Sequence, residues 1–317
     1  MNSKERPLIS YVITAYNSEK YIKEAIECAF NQTYQPLQIV LSDDCSKDET
    51  FNIMQQMASV YKGQAQIKLN RNEVNMGISQ HMSKAYIDLA DGEIIVVAHA
   101  DDISKPDRVE KSYEYFCENP KCNVVSFAIT HVDSNKQVIK KSSDFNKVTD
   151  RYVYKLDEDS KSVANVPAPS RAFKKEVMTT FGYLDKECTT EDELITFRAL
   201  LMGGENAYLK YDAVLYRKHE NSESNIINFD KYPLFKIYNQ LKRDAEKAVE
   251  LGFITQEFCD KVLKIIQRAH KIRQCYRDWL VKPKLSTVLK IQFKNIPLRA
   301  KLSFYKKWLK QRKTEKH

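Results

Sequence analysis

The chain has 317 residues, 43% hydrophobic and 29% charged, the balance of a globular protein large enough to bury a substantial core. No apolar run approaches the ~20 residues that span a bilayer. The formal charge of +9 is concentrated: Val281 to His317 holds twelve of the 51 basic residues and one of the 42 acidic ones, leaving 39 against 41 in the body. Seven cysteines, with no CxxC pair, match neither a disulfide framework nor a zinc site and read as reduced thiols in a cytosolic protein.

In chain order, Leu8 to Ala15 reads as a first strand rather than a signal peptide, so export is not expected. It runs into Thr14, Ala15, Tyr16 and Asn17. Ser18 then reads as the cap of an amphipathic helix from Glu19 to Phe30, with Ile22, Ala25, Ile26 and Ala29 on one face. A second strand, Leu37 to Leu41, ends in Ser42, Asp43 and Asp44, and a helix follows from about Asp48 to Tyr61. A third, near Ile67 to Leu69, leads through Arg71 and Asn75 to Gly77 and a helix from Ile78 to Leu89. The fourth, from Ile94, breaks off into His99, Ala100, Asp101 and Asp102, with Pro106 and Arg108 beyond. Four strand–helix alternations predict a doubly wound α/β sheet, and three of these strands carry polar ends to the same sheet edge. Two adjacent carboxylates there suit a divalent cation, although Asp pairs after strands are also common turn formers.

Further on, Val124 to Val132 reads as a strand, Gln137 to Tyr154 as polar chain, and a helix is predicted at about Lys174. In TTEDELITFRALLMGG, Thr190 and Glu193 have capping-box spacing, and Gly203 with Gly204 stops the helix. Glu191 and Asp192 therefore lie in the first helical turn, where the ionised carboxylate is favoured. Acids there are also plain helix design. A strand-like Ala213 to Tyr216 precedes Arg217, Lys218 and His219, an imidazole suited to Mn²⁺ with cations beside it that suit phosphate.

The segments PLISYVITAYNSEKYIKEAIECAFNQTYQPLQIVLSDDCSKDET, NMGIS, ADGEIIVVAHADDISKPDRVE, TEDELITFRALLMGG and LYRKHENSESN resemble, in that order, the family 2 glycosyltransferases of bacterial surface-glycan type. The resemblance spans about the first 225 residues. It implies the GT-A fold, a Rossmann-like, doubly wound mixed sheet, over 1–225, with 226–317 left as a helical C-terminal region. It also implies inverting transfer of a sugar from a nucleotide-diphosphate sugar, expected to be a UDP-sugar, to a hydroxyl of a glycan or lipid-linked glycan. Thr14, Ala15, Tyr16, Asn17, Asp43, Asp44, Arg71, Asn75, Gly77, Lys84, His99 and Ala100 are then nucleotide-binding candidates, with Thr14 and Tyr16 beside the base and Asp44 accepting its imide N–H. Lys84 is a candidate to face the diphosphate, where relatives carry an Arg-Asn pair. Asp101, Asp102 and His219 are the candidate ligands of Mn²⁺ or Mg²⁺, and Asp192, with Glu191 beside it, the general base. His99 departs from the family pattern, which has aspartate at that position.

From about Phe229 the periodicity is helical, through Leu241, Ala245 and Ala248 and then Phe258, Val262, Ile265 and Ile266. In the basic tail Leu298, Leu302, Tyr305 and Leu309 share a face, as in a helix lying on an anionic membrane surface. Peripheral attachment at the inner face of the cell membrane is the expected location, and no nucleic-acid-reading motif accompanies the charge. Two alternatives remain. A nucleotidyltransferase should carry a Gly-rich, Lys-bearing loop after strand one, which TAYNSEKY lacks, and a non-catalytic nucleotide-sugar-binding or membrane-docking module would keep the sheet without the reaction.

Overall fold

The computed structural model describes residues 5–141, 150–160, 169–188, 190–219 and 234–281. Its first half alternates β1 (Ile9–Ala15), α1 (Ile22–Phe30), β2 (Leu37–Asp43), α2 (Thr50–Val60), β3 (Gln66–Arg71), α3 (Ile78–Lys84, prolonged by a π turn at Ala85–Leu89) and β4 (Ile94–His99). There follow β5 (Ile103–Ser104), α4 (Arg108–Glu118), β6 (Cys122–Val132), β7 (Val138–Lys141), β8 (Arg151–Tyr154) and β9 (Ala172–Lys174). The last elements are α5 (Glu176–Phe181), α6 (Glu191–Leu201), β10 (Glu205–Arg217), α7 (Leu234–Glu250) and α8 (Gln256–Val281).

The strands form one mixed sheet in the order β3-β2-β1-β4-β9-β6-β10-β5, with β7 added to β6 and β8 to β10. The first four are parallel. Alternate residues of these strands point to opposite faces, and both faces are covered. Val12, Val40, Ile95 and Val97 join a core completed by α5, α6, α7 and α8, whereas Tyr11, Ile13, Ile39, Leu41 and Val96 join one under α1, α2 and α4. Gly92 permits the entry into β4: a Cβ there would lie 2.5 Å from the Ser10 nitrogen.

β9 is antiparallel to both β4 and β6, which carries the sheet from its parallel first half into the second half. A helix at Lys174 is therefore replaced by a strand ending there, and the helix begins at Glu176. α1 also starts later than its sequence suggests. The Ser18 carbonyl, not its hydroxyl, accepts from Tyr21 and Ile22, and the hydroxyl bonds the Tyr16 carbonyl.

The C-terminal helices pack into the first of the two cores through Ile237, Leu241, Ala245, Ala248, Cys259, Val262 and Ile266. A buried ion pair fixes α7 to α6: Arg198 Nε lies 2.8 Å and Nη2 3.2 Å from the two carboxylate oxygens of Asp244, and Nη1 donates to the Gly182 carbonyl at 2.7 Å. Among the described residues no helix is long and apolar enough to cross a membrane. The apolar face of Leu298, Leu302, Tyr305 and Leu309, with the basic residues beside it, lies outside the described residues.

Candidate functional site

Strand register brings the polar ends together. Thr14 pairs with Ser42 on one side and His99 on the other, and Ala15 pairs with Asp43, which pairs with Arg71. Asp43 is fully buried, accepts the Ser46 N–H at 2.9 Å, and faces Arg71 Nε at 3.6 Å. Arg71 also donates to the Ser46 carbonyl and covers the Phe51 ring. Asn17, at φ 49°, donates its N–H to Ser46 Oγ and accepts from the Lys47 N–H. The Tyr16 ring is left 45% exposed on this rim, a flat apolar surface open to a ligand.

Asp44 is the most organised carboxylate of the group. Its Oδ1 accepts from Asn72 Nδ2 at 2.8 Å and the Met76 N–H at 2.9 Å, and its Oδ2 from the Gly77 N–H at 3.0 Å. Gly77 sits at φ 78°, a backbone conformation that glycine adopts without strain, and shares its N–H with Asn75 Oδ1. The free N–H groups ahead of α3 thus meet an anion from within the chain. Lys84 bonds Asn72 Oδ1 at 2.9 Å and is half-buried.

At the end of β4, His99, Asp101 and Asp102 offer ligand atoms that all lie within 4.8 Å of one another, and Ala100 is buried between them. His219, two residues past the end of β10, places its Nε2 3.0 Å from Asp101 Oδ2 and so adjoins this cluster through Asp101. Burial would push Asp101 up, but the hydrogen bond from His219 and the nearby His99 hold its carboxyl below the usual range. Asp102 is pushed well above that range, first by its burial and then by the Asp101 charge. Its Oδ1 accepts the Arg217 N–H at 3.0 Å, whereas Oδ2 and His99 Nε2 are buried without a hydrogen-bond partner. His99 Nδ1 is 3.8 Å from that oxygen, and burial keeps the imidazole toward its neutral form. A neutral imidazole, two crowded carboxylates and orphaned buried acceptors fit a divalent cation, whose charge would let both carboxylates ionise.

The acidic first turn of α6 lies close enough for its charges to act on this region. Asp192 is half-buried, its Oδ1 accepts the Glu193 N–H at 2.8 Å, and its charge reaches His99 across the site. Glu191 is buried, and the charges of both acids reach the guanidinium of Arg171, itself buried at the start of β9. The expected capping box does not form. Thr190 Oγ1 is buried with no partner, and Glu193 instead pairs with Arg273 of α8 at 2.5 Å.

Two arginines that stand out in the sequence have roles it does not show. Arg108 is fully buried and donates to Ser104 Oγ at 2.8 Å and to the Val97 and Arg171 carbonyls, bracing the floor beneath β4. Arg217, read from sequence as a cation for phosphate, is buried and bonded to protein groups. Its place as the last residue of a strand, two before His219, is the one hint of this.

Residues 10–181, more than half of the chain, match the model of Glycosyl transferase family 2. A Haemophilus influenzae protein described as an uncharacterized glycosyltransferase is 34% identical over 113 residues, 36% of this chain and 34% of that protein. The chain spans between a third and a half of the curated relatives it resembles in this way. The structure of S. aureus TarS 1–349 in complex with UDP-GlcNAc superimposes with a TM-score of 0.64 at 19% identity, over 88% of this chain and 76% of that one. Mannosyltransferase PcManGT from Pyrobaculum calidifontis, in complex with GDP-Man and Mn²⁺, gives a TM-score of 0.51 at 14% identity, over 97% and 84%. At these identities the likeness is one of fold, the mixed α/β GT-A sheet.

Proposed function

Because the chain belongs to glycosyl transferase family 2, we propose that it transfers a sugar from a nucleotide-diphosphate sugar, a UDP-sugar first of all, to a hydroxyl of a glycan or lipid-linked glycan, with inversion. The observation that carries this reading is that Asp44 and the His99–Asp101–Asp102 cluster, with His219 on Asp101, lie at the ends of neighbouring strands, within reach of the charge of Asp192 on α6. TarS in complex with UDP-GlcNAc supports the donor class, and the Mn²⁺ complex of PcManGT supports the cation.

In this reading the base lies against Tyr16 and Thr14, and its imide N–H meets the free acceptor capacity of Asp44 Oδ2. Asp101 and His219, with Asp102 and His99 behind them, would hold Mn²⁺ or Mg²⁺, which supplies charge neutralisation for the departing diphosphate. Asp192 takes the proton of the acceptor hydroxyl as its oxygen bonds to the anomeric carbon. The bond from that carbon to the diphosphate oxygen breaks on the opposite face, and its electron pair leaves with the diphosphate. One base and no enzyme nucleophile give inversion. The basic tail from Val281 onward is proposed to hold the protein against an anionic membrane surface, where a lipid-linked acceptor would be found.

The test is a screen of UDP-, GDP- and CMP-sugars for release of the nucleotide, with Mn²⁺ or Mg²⁺ and with chelator. Metal-dependent turnover of one UDP-sugar is expected. Metal-dependent nucleotide binding with no turnover of any donor, across glycan and polyprenyl-linked acceptors, would support a binding module instead.

A further inference from the structure

We propose that Arg217 is a positioning residue, which sets the geometry of Asp101, Asp102 and His219 for cation binding; the inference rests on the metal reading above. Arg217 ends β10, and its side chain is 3% exposed. Nε donates to the Asp101 carbonyl at 3.0 Å, Nη1 to the Ser134 carbonyl at 3.2 Å, and Nη2 to Glu24 Oε2 at 2.5 Å. Its backbone N–H holds Asp102 Oδ1 at 3.0 Å. One residue therefore grips the backbone of one candidate ligand and the carboxylate of the next.

The grip extends to His219. The Arg217 guanidinium lies 4.7 Å from the Tyr21 ring centroid, and that ring lies 5.0 Å from the imidazole of His219. Tyr21 and Glu24 belong to the start of α1, Ser134 to the turn between β6 and β7, and Asp101 to the end of β4. Glu24 is in turn paired with Lys136 of the same β6–β7 turn. Burial pushes Glu24 up, but the bonds from Lys136 and Arg217 outweigh it and hold the carboxyl below its usual range, ionised to receive both cations. Four segments distant in sequence are thus tied at one planar fork, a role that lysine, with a single point of charge, does not reproduce.

A buried guanidinium with all three nitrogens engaged in protein bonds is not presented to a phosphate. Its contacts instead belong with the partners behind metal ligands, whose removal typically weakens metal binding about 10- to 100-fold. The experiment is Mn²⁺ titration of the full chain followed by electron paramagnetic resonance, with saturating UDP, for wild type, Arg217→Met, Arg217→Lys and Glu24→Gln. Circular dichroism checks folding.

Arg217→Met should weaken Mn²⁺ binding about 10- to 100-fold, with Arg217→Lys recovering only part of the loss. Excess Mn²⁺ should restore turnover of the Arg217→Met protein, which a generally damaged fold would not allow. Folded Arg217→Met with Mn²⁺ affinity within about twofold of wild type, well short of the loss named above, would overturn the assignment. If Arg217→Met fails to fold, the near-isosteric Glu24→Gln decides: weakened Mn²⁺ binding supports the fork, and unchanged binding overturns it. Wild-type protein that binds UDP but no Mn²⁺ would instead overturn the metal reading, and the positioning role with it.

Discussion

Replacing Asp44 with asparagine changes one atom, and the structure sets two separable consequences. The carboxylate accepts three N–H groups: Oδ1 takes Asn72 and Met76, and Oδ2 takes Gly77. The amide of Asp44→Asn can keep its oxygen toward Asn72 and Met76, which places its NH₂ against the Gly77 N–H. That donor has a second acceptor in Asn75 Oδ1 at 3.1 Å, so the stability loss should fall at the low end for a disturbed buried hydrogen bond, about 1 kcal/mol. The same NH₂ would face the imide N–H of a uracil. Losing a hydrogen bond to a charged acceptor costs about 1.5–3 kcal/mol, roughly a 10- to 100-fold loss of UDP affinity. Cytosine carries an acceptor at the corresponding ring nitrogen, so CDP should lose less and the preference for UDP over CDP should collapse. Isothermal calorimetry with UDP and CDP measures the second effect, and urea unfolding the first. UDP affinity within about twofold of wild type in folded Asp44→Asn, against the tenfold or greater loss expected from a charged hydrogen bond, would refute the assignment of Asp44 to the base.

Asp192→Asn should lose about 10²- to 10⁴-fold in turnover while keeping donor affinity, because the amide cannot accept the acceptor's proton; near-wild-type transfer in steady-state kinetics would reject it as the base. Asp244→Asn leaves the fully buried Arg198 guanidinium without its counter-charge and should cost about 3–5 kcal/mol in denaturant unfolding, and a loss below about 1 kcal/mol would contradict the view that this pair locks α7 onto α6. Removing residues 284 to 317 should abolish flotation with liposomes containing anionic lipid, and equal flotation of the full and shortened chains would dismiss the membrane role of the tail.

The first half of the fold is readable because its information is local. β1, β2 and β4 are mostly apolar strands buried on both faces, with Ser10 and Gln38 the polar interruptions, and each runs out into polar residues. α1 buries Ile22, Ala25, Ile26 and Ala29, the face its periodicity marks. The second half depends on tertiary pairing. β9 has three residues and β5 two, too short for any periodicity, and they exist because β4, β6 and β10 offer edges to them. The same holds for side chains. Asp43, Asp44, Asp101 and Asp192 advertise chemistry by type and spacing, whereas Arg217, Arg108 and Glu24 act through partners more than a hundred positions away or through backbone carbonyls. Thr190 shows the opposite failure. Its spacing to Glu193 suits a capping box, but Arg273 of α8 draws the glutamate away.

His99 now has a physical description where the family pattern expects aspartate. It is a half-buried imidazole held toward neutrality beside a carboxylate, Asp102, that is itself driven toward its neutral form. In the proposed site a bound cation would let Asp102 ionise and would be met by the imidazole in the neutral form that a metal ligand requires.

In the proposed site nucleotide binding is coupled to a cation at this cluster, and calorimetric titration of UDP into the chain with Mn²⁺ and with chelator measures that coupling directly. Affinity should fall about tenfold or more when Mn²⁺ is removed, and Asp101→Asn should bind UDP as weakly with Mn²⁺ as wild type does without it. UDP binding of equal strength with and without Mn²⁺, and unchanged in Asp101→Asn, would contradict a cation-coupled site at Asp101.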